Sequence, residues 1–500
     1  MKSIKRIVFS IVLVLLCAAL CSCSYKGGLD GNRSAGYYYP ETSTSANEFT
    51  QITENPFVST ATTATSYFSI DANTSSYPLL RRLINSGRAI DPDSVRVEEM
   101  LNYFSYDYAE PENGQILSMN ASVFDNPYNP QTKLMTVGLA AQKVDFSEQR
   151  NNIVFLIDTS GSMFGGDRLG LVQSAFKMLA DNLNDDDRVS IVTYAGSSSV
   201  ALSGAYGSEK QKIIAVIEDL EAGGSTAGAE GIKTAYQLAQ QYFISGGNNR
   251  VVLATDGDFN VGISNTKELE SFIKEKAKSG VYLSVFGVGY GNLKSEKMES
   301  LALNGNGTAS YLDSPKEARR ALVEQIGGSM QTVAKDVKAG IVFNLDYVKS
   351  FRLIGYENKQ MTEEEFNDTN KDAGELGSGH TVTVVYEVEL TEKAFVSGEN
   401  IATAEIHYKS TENSSSQEQG DLTLNLDIKT DAYHAAMTPN DLFISSVVEF
   451  ALIARNSQYK ANASIDNVIE RLTQYQTNDE YKQEFFELVK TYKQKYTEAK

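Results

Sequence analysis

Residues 152–162, NIVFLIDTSGS, place a continuous apolar run of strand length directly before a group of carboxyl and hydroxyl side chains. Further apolar runs alternate with amphipathic helical segments from residue 151 to residue 330. A strand without polar alternation is typical of a sheet that is buried on both faces, and strands that alternate with helices indicate a mostly parallel sheet. We therefore predict a doubly wound α/β domain with a mostly parallel sheet over residues 151–330.

Three segments of this domain lie where such a sheet binds ligands, beyond the carboxyl ends of its strands. The first, residues 158–162 (DTSGS), follows the first strand, and the second, residues 223–228 (GGSTAG), precedes a helix. The third, residues 255–258 (TDGD), follows a later buried strand. All three offer oxygen ligands, which suit a hard cation such as Mg²⁺ or Ca²⁺. Because the protein supplies few carboxylates, an Asp or Glu of a partner protein would be able to complete the ligand shell.

These three motifs, in this order, resemble the metal-ion-dependent adhesion site of von Willebrand factor type A domains, which have a Rossmann-like fold. The resemblance implies that Ser160, Ser162 and Thr226 contact the cation directly, and that Asp158 and Asp256 contact it directly or through water. The expected cofactor is Mg²⁺, with Mn²⁺ and Ca²⁺ as alternatives that ligand types alone do not separate. The expected partner is a protein that presents Asp or Glu to this cation.

Strand patterns flank the α/β domain on both sides. Residues 115–148 and 331–432 contain apolar residues that alternate with polar ones, as in strands with one buried face. The economical interpretation is a single β-sandwich into which the α/β domain is inserted. Residues 67–110 and 436–500 have apolar residues near helical spacing, which predicts an N-terminal helical segment and a C-terminal helical extension.

Several segments outside the metal motifs resemble a bacterial family of envelope proteins with a type A domain. Those segments are residues 55–57 (NPF), 68–71 (FSID), 96–104 (RVEEMLNYF), 247–250 (GNNR) and 371–375 (KDAGE). Members of this family carry a distinctive segment before the type A domain and an extension after it. The resemblance implies the architecture of most of the chain, but it assigns no particular role.

The first residues are typical of an export signal. A basic segment is followed by an apolar run over residues 7–20, which is shorter than the ~20 residues that span a bilayer and has the length of a secretory signal. Residues 20–23 (LCSC) resemble the lipobox of bacterial lipoproteins. That resemblance implies a signal peptide over residues 1–22 and acylation of Cys23, so we expect an exported protein that a lipid anchors to a membrane of the cell envelope. A plain secretory signal is the alternative.

The segment after the expected anchor is polar. Residues 23–66 are rich in Ser, Thr, Asn, Gly and Tyr, which indicates a flexible tether. All three cysteines, Cys17, Cys21 and Cys23, lie at or before the expected acylation site. The mature chain therefore has no free pair of cysteines for a disulfide.

The charge of the chain excludes one class of partner. It carries 45 Lys and Arg against 64 Asp and Glu, a formal net charge of −19, and no basic tract follows the signal. Phosphate backbones are bound by clustered Lys and Arg. We therefore expect no nucleic acid as a partner.

An enzyme and an envelope assembly scaffold are the two alternatives to a binding protein. A Mg²⁺-dependent phosphohydrolase commonly needs two acidic residues in a D-x-D pattern, and here Ser160 occupies the second position. The three loops also lack a Cys, His or Lys to serve as nucleophile or base. The sequence therefore favours a binding protein that is not an enzyme. In a scaffold the metal would be structural, and chelation would unfold the chain.

Residues 368–375 (DTNKDAGE) have the D-x-N-x-D spacing of a calcium-binding loop. Such a loop needs Gly at its sixth position and Glu at its twelfth, where this chain has Ala373 and Gly379. The sequence therefore favours a polar turn over a second cation site.

Overall fold

The computed structural model describes residues 47–144, 149–224, 228–257, 266–291, 293–325, 332–395, 398–411 and 422–498. Its strands are β1 (Val58–Ser59), β2 (Thr65–Ser69), β3 (Leu117–Asp125), β4 (Lys133–Ala141), β5 (Asn151–Asp158), β6 (Arg188–Tyr194), β7 (Ser198–Tyr206), β8 (Asn248–Thr255), β9 (Val281–Val288), β10 (Ala309–Leu312), β11 (Thr332–Phe343), β12 (Val348–Ile354), β13 (Gln360–Met361), β14 (Gly374–Gly377), β15 (Thr381–Leu390), β16 (Asn400–Ser410) and β17 (Leu422–Lys429). Its α-helices are α1 (Ser76–Ser86), α2 (Val97–Asn102), α3 (Leu169–Asp181), α4 (Lys210–Glu218), α5 (Gly228–Gln241), α6 (Thr266–Lys278), α7 (Ser295–Asn304), α8 (Pro315–Arg319), α9 (Glu363–Asn367), α10 (Pro439–Ala454), α11 (Ile465–Gln474) and α12 (Glu480–Tyr492).

Strands β5 to β10 form the sheet of the predicted α/β domain. Their order across the sheet is β10-β9-β8-β5-β6-β7, and neighbouring strands are parallel except for β6 and β7. Helices cover both faces of this sheet. Alternate residues of β5 accordingly belong to two different apolar cores, one on each face. Phe155 stacks on Phe176 of α3 with ring centroids 4.2 Å apart, and Leu156 lies on the opposite face against α5. The doubly wound, mostly parallel fold predicted from the sequence is confirmed.

The strand order also defines the switch point of the sheet. The chain continues from β5 to β6 on one side of it, and later returns to β8 on its other side. The helices that follow β5 and β8 therefore lie on opposite faces, and a crevice forms at the carboxyl ends of these strands. The DTSGS and TDG motifs follow β5 and β8 and so lie at this switch point.

Two antiparallel sheets form the β-sandwich. One has the order β1-β12-β15-β4-β3, and the other has the order β13-β2-β11-β16-β17 with β14 paired to β11. Their inner faces share one core, in which Phe343 of β11 stacks on Phe351 of β12 with ring centroids 4.1 Å apart. The chain leaves the sandwich after β4 and returns to it at β11, so the α/β domain is an insertion, as predicted.

Helices from the two flanks of the chain form one layer against the sandwich. Helices α1 and α2 share a core with α10, α11 and α12. Phe104, just after α2, contacts Phe443 and Phe485 edge to face, with centroid distances of 4.8 and 5.6 Å. Val385 of β15 belongs to the same core. The N-terminal helical segment and the C-terminal extension therefore stabilise each other and the sheet beneath them.

Part of the segment that we expected to be a flexible tether, residues 23–66, is folded onto the body. Strand β1 pairs with β12, and the side chain of Asn47 accepts the backbone N–H groups of Gly291 and Leu293 at 2.9 and 3.0 Å. These contacts are made by backbone groups and by a small polar side chain. A segment poor in aliphatic residues can make them, which is why composition alone was misleading here.

The start of the chain differs from the expected boundaries in one further respect. Residues 67–69 complete strand β2, although we expected the helical segment to begin at residue 67. The expected signal peptide (residues 1–22), Cys23 and the tether as far as residue 46 lie outside the described residues. Among the described helices, none is both long and apolar enough to cross a membrane.

Candidate metal centre

The first motif forms a tight loop at the carboxyl end of β5. Asp158 is the last residue of the strand, and it is fully buried. Its Oδ1 accepts the backbone N–H of Ser160 at 2.9 Å. A short 3₁₀ turn then follows, and the hydroxyl oxygens of Ser160 and Ser162 lie 3.0 Å apart. The motif therefore places a carboxylate and two hydroxyl groups at the switch point of the sheet.

The two neighbouring strands hold the Asp158 carboxylate in place. Tyr194, the last residue of β6, and Thr255, the last residue of β8, each donate a hydroxyl hydrogen bond to Oδ2 of Asp158 at 3.2 Å. The hydroxyl of Thr255 in turn accepts the N–H of Gly257 at 3.2 Å. Asp256, which lies between Thr255 and Gly257 in the sequence, is 2 % exposed. Three parallel strands thus fix the position of one carboxylate and bring a second acidic residue beside it.

The Gly-rich loop is attached to the first motif by two backbone hydrogen bonds. The N–H of Gly223 donates to the carbonyl of Thr159 at 2.8 Å, and the N–H of Gly161 donates to the carbonyl of Gly224 at 3.1 Å. Gly224 has a φ of +84°, a conformation that suits glycine. Thr226 lies outside the described residues.

The charge of Asp158 is poorly balanced. Burial, with a smaller contribution from the negative charge of Asp256, raises the pKa of Asp158 to about 6, although the hydrogen bonds from Ser160 and Thr255 lower it. None of the salt bridges among the described residues involves Asp158. A divalent cation would supply the missing positive charge, and carboxylate and hydroxyl oxygens are hard ligands that suit Mg²⁺, Mn²⁺ or Ca²⁺. The residues present therefore fit such an ion.

Two residues that support the site were absent from the predicted ligand set. Thr255 was visible as the first residue of the TDG motif, but its role in orienting Asp158 requires the neighbouring strand to be in place. Tyr194 gave no signal, because it ends an ordinary buried strand, RVSIVTY. The structure brings together Asp158, Ser160 and Ser162, with Asp256 within electrostatic reach.

Models of known families match three consecutive parts of the chain. The model described as von Willebrand factor type A domain matches residues 152–325, which include the site. A model described as von Willebrand factor matches residues 43–136, and one described as the C-terminal part of the uncharacterized protein YfbK matches residues 328–495. The chain belongs to a bacterial family of von Willebrand type A domain proteins with a YfbK-type C-terminal extension. Domains of this type commonly bind a divalent metal ion, and they indicate protein–protein interaction or adhesion.

Relatives of known sequence support this assignment. The chain is similar to the uncharacterized protein YfbK of Escherichia coli K12, with 43% identity over 350 residues that cover 68% of this chain and 61% of the relative. It is also similar to a UPF0353 protein of Mycolicibacterium vanbaalenii, with 31% identity over 41% of this chain and 69% of the relative. Among solved structures it resembles a von Willebrand factor type A protein from Catenulispora acidiphila, with 14% identity, a TM-score of 0.43, and coverage of 77% of this chain and 91% of the other.

The segment with calcium-like spacing, residues 368–375, begins with a turn, as the sequence favoured, and its last two residues start strand β14. Oδ1 of Asp368 accepts the N–H of Asn370 at 2.9 Å within the turn, and the carboxylate of Asp372 forms a salt bridge with Lys274 of α6. The two acidic side chains are thus engaged in separate contacts instead of facing one ligand.

Proposed function

We propose that this chain is a lipid-anchored protein of the cell envelope that binds a partner protein through a divalent cation. Asp158, Ser160, Ser162 and Asp256, together with Thr226, would hold the ion. An Asp or Glu of the partner would complete its ligand shell. The observation that carries the proposal is the buried Asp158 carboxylate, which has no balancing cation among the described salt bridges and lies beside the paired hydroxyls of Ser160 and Ser162.

The outer rim of the site supports a role in docking. Ser162 is half-buried, so its hydroxyl lies between the interior and solvent. Phe164, two residues further along, is 80 % exposed. Exposed aromatic side chains beside a polar anchoring point are frequent in protein–protein interfaces. The bound ion would supply an electrophilic position for a partner carboxylate. The chain's own residues would orient the ion and exclude water from one side of it.

One group of side chains resembles a hydrolytic triad and needs a separate interpretation. Nε2 of His434 lies 3.1 Å from Oγ of Ser122 and 2.7 Å from Oδ2 of Asp441. A triad requires the two ring nitrogens to contact different partners, whereas here one nitrogen contacts both. The same Asp441 oxygen accepts the N–H of Thr438 at 2.8 Å and so caps α10. The group is better explained as a helix cap, and we infer a protein that is not an enzyme.

Calorimetric titration tests the metal site. Mg²⁺ and Mn²⁺ are titrated into the mature chain, residues 24–500, and into the Asp158→Asn variant. We expect saturable binding to the unaltered chain and at least ~10-fold weaker binding to the variant, because one charged ligand is lost. The asparagine keeps an oxygen that can accept from Tyr194 and Thr255, so the variant should remain folded by circular dichroism.

The matched control is Asp167→Asn, an exposed acidic residue close to the same loop, which should bind as the unaltered chain does. Absence of binding by the unaltered chain, or equal binding by the chain and Asp158→Asn, would contradict the proposal. An unfolded Asp158→Asn variant, together with unfolding of the unaltered chain by EDTA, would instead favour the scaffold with a structural metal.

The proposed anchor is tested separately by the Cys23→Ser variant. We expect the full-length chain to be recovered with membranes and the variant to be recovered in soluble or unprocessed form, since acylation requires the thiol. Mass spectrometry of the purified chain should find the lipid on Cys23. Recovery of both forms with membranes to the same extent would count against a lipid anchor and leave the metal site unaffected.

A further inference from the structure

A polar cavity of about 180 Å³ lies where the α/β domain meets the sandwich, and it involves none of the residues of the candidate metal centre. Asp71, which follows β2, and Glu299 of α7 line the cavity from its two sides. Lys359 and Glu375 line it from the sandwich. Charged groups of two domains thus line one cavity.

Three carboxylates converge beside this cavity. Asp71, Glu99 and Glu299 each place an oxygen within 4.8 Å of the oxygens of the other two. Their exposed fractions are 4 %, 1 % and 7 %, so all three are buried. Calcium ligands lie 2.3–2.6 Å from the ion, so oxygens on opposite sides of it are ~5 Å apart. The spacing of the cluster therefore accommodates a calcium ion.

Each carboxylate is oriented through one of its oxygens by a local hydrogen bond. Oδ1 of Asp71 accepts the N–H of Asn73 at 2.9 Å, and Oε2 of Glu99 accepts the N–H of Ser76 at 2.8 Å. Oε1 of Glu299 accepts the hydroxyl of Ser295, also at 2.9 Å. The second oxygen of each group remains for another partner.

Those second oxygens have weak or shared partners. Oε1 of Glu99 has no hydrogen bond in the structure and lies 3.8 Å from the guanidinium of Arg96. Oε2 of Glu299 is 3.5 Å from the same guanidinium, and Oδ2 of Asp71 is 3.0 Å from the ammonium of Lys359. Two cationic side chains, Arg96 and Lys359, therefore face three carboxylates. The contacts of Arg96 with Glu99 and Glu299 are too long for a hydrogen bond.

Two further buried carboxyl groups lie beside the cluster, and burial raises the pKa of both above the ordinary value of Glu. Glu375, 6 % exposed, lines the same cavity, and its Oε2 has no hydrogen-bond partner. Glu98, 1 % exposed, has no hydrogen bond to either oxygen and lies within electrostatic reach of Asp71. Burying a charged carboxylate that lacks a hydrogen-bond partner is costly, and a cation bound nearby would lower that cost.

We propose that Asp71, Glu99 and Glu299 bind one calcium ion, and that this ion fastens the α/β domain to the sandwich and to helix α2. Calcium fits better than magnesium, because it accepts ligands from flexible and irregular sets of oxygens, whereas Mg²⁺ requires near-ideal octahedral geometry at 2.0–2.1 Å. The site, which we call the junction site, is independent of the candidate metal centre and of the proposed function.

The test uses the mature chain with Asp158→Asn, so that calcium binding at the candidate metal centre is weakened. After removal of metal with EGTA, Ca²⁺ is added in a calorimetric titration and in a thermal unfolding series. We expect about one ion bound per chain and a higher unfolding temperature with Ca²⁺. Adding Glu299→Gln should weaken Ca²⁺ binding at least ~10-fold and abolish the rise in unfolding temperature.

The control is Glu296→Gln, on the same helix but exposed, which should leave Ca²⁺ binding unchanged. Without calcium, Glu299→Gln should unfold at the same temperature as its parent or higher, since it removes one of several repelling buried charges. That result separates a lost ligand from a damaged fold.

Two outcomes would overturn the proposal. One is a folded Asp158→Asn chain that binds no Ca²⁺, and the other is Ca²⁺ binding that Glu299→Gln leaves intact. A calcium-free Glu299→Gln chain that is less stable, in a protein that does not respond to Ca²⁺, would identify the cluster as an ion-pair network with Arg96 and Lys359. The Mg²⁺ titration of the candidate metal centre compares variants of different residues, so either proposal can fail without the other.

Discussion

Asp158 is held in a position that is unfavourable for it when no metal is bound. Three donors, the N–H of Ser160 and the hydroxyls of Tyr194 and Thr255, fix its orientation. Burial and the nearby charge of Asp256 nevertheless disfavour its ionised form. The ligand atoms of such a site are oriented before the cation arrives, and their charge is unfavourable without it. Binding of the cation removes this electrostatic cost and so gains free energy.

This strain predicts a pH-dependent difference between the metal-free chain and its Asp158→Asn variant. The pKa of Asp158 in the folded chain, about 6, lies above its ordinary value. As the pH rises, Asp158 therefore loses its proton at a lower pH in the unfolded chain than in the folded chain. The stability that protonated Asp158 contributes is complete below about pH 4 and is lost as the pH rises to about 6. At pH 7 with EDTA we expect Asp158→Asn to be more stable than the unaltered chain by ~2–3 kcal/mol.

Urea unfolding at pH 7 and at pH 4 measures this difference, which should shrink towards zero at the lower pH. Asp167→Asn serves as a comparison of opposite sign. Burial raises the pKa of Asp167, but the contact with Arg82 outweighs it and holds this pKa below its ordinary value, so Asp167→Asn should be slightly less stable than the unaltered chain at pH 7. An Asp158→Asn variant that is less stable than the unaltered chain at pH 7 in EDTA would mean that the hydrogen bonds to Asp158 outweigh its buried charge.

At the scale of elements, the central strands of the α/β sheet could be predicted, whereas its edge strand β7 could not. The run NIVFLI is apolar on both faces because β5 lies in the middle of the sheet between β6 and β8, so its sequence alone specifies a buried strand. Strand β7, SSVALSGAY, lies at the edge, and most of its residues reach solvent. It is held by backbone pairing with β6, which leaves little trace in the side-chain pattern.

The two proposed metal sites differ in how far the local sequence reveals them. Asp158, Ser160 and Ser162 lie within five residues of chain, so their spacing could be recognised before the fold was known. Asp71, Glu99 and Glu299 are distant in sequence and meet only when α7 packs against the N-terminal segment. Segments containing Asp71 and Glu99 resemble a bacterial family, but no local pattern connects them to Glu299.

At the scale of the whole molecule, the inserted α/β domain is held from outside its own sheet. Arg81 of α1 is 4 % exposed and joins three elements. Its guanidinium donates two hydrogen bonds to Asp313 at 2.8 and 2.5 Å, and others to Glu317 of α8 at 2.8 Å and to Glu484 of α12 at 2.5 Å. Tyr103 donates to the same Glu317 oxygen at 2.7 Å. The end of the α/β domain is thus tied to the helical layer by one buried cation.

Loss of this cation should therefore destabilise the molecule far more than loss of an exposed one. In Arg81→Met, Asp313 and Glu317 stay buried without their main partner, and breaking a buried pair in this way costs ~3–5 kcal/mol. Arg81→Lys keeps the charge but cannot form the two-pronged contact with Asp313, so we expect an intermediate loss. Arg319→Met, which removes a half-exposed arginine that pairs with Glu324 and Glu480, should cost less than ~1 kcal/mol.

Chemical unfolding of the three variants, followed by far-ultraviolet circular dichroism, measures these differences. Limited proteolysis adds a second readout, because release of the α/β domain from the helical layer should expose the segment around α8 in Arg81→Met before the domain itself unfolds. If Arg81→Met were as stable and as protease-resistant as Arg319→Met, the helical layer would hold the insertion through its apolar core alone. The orientation of the candidate metal centre relative to the rest of the molecule would then depend on the junction site and on packing, with no contribution from the Arg81 network.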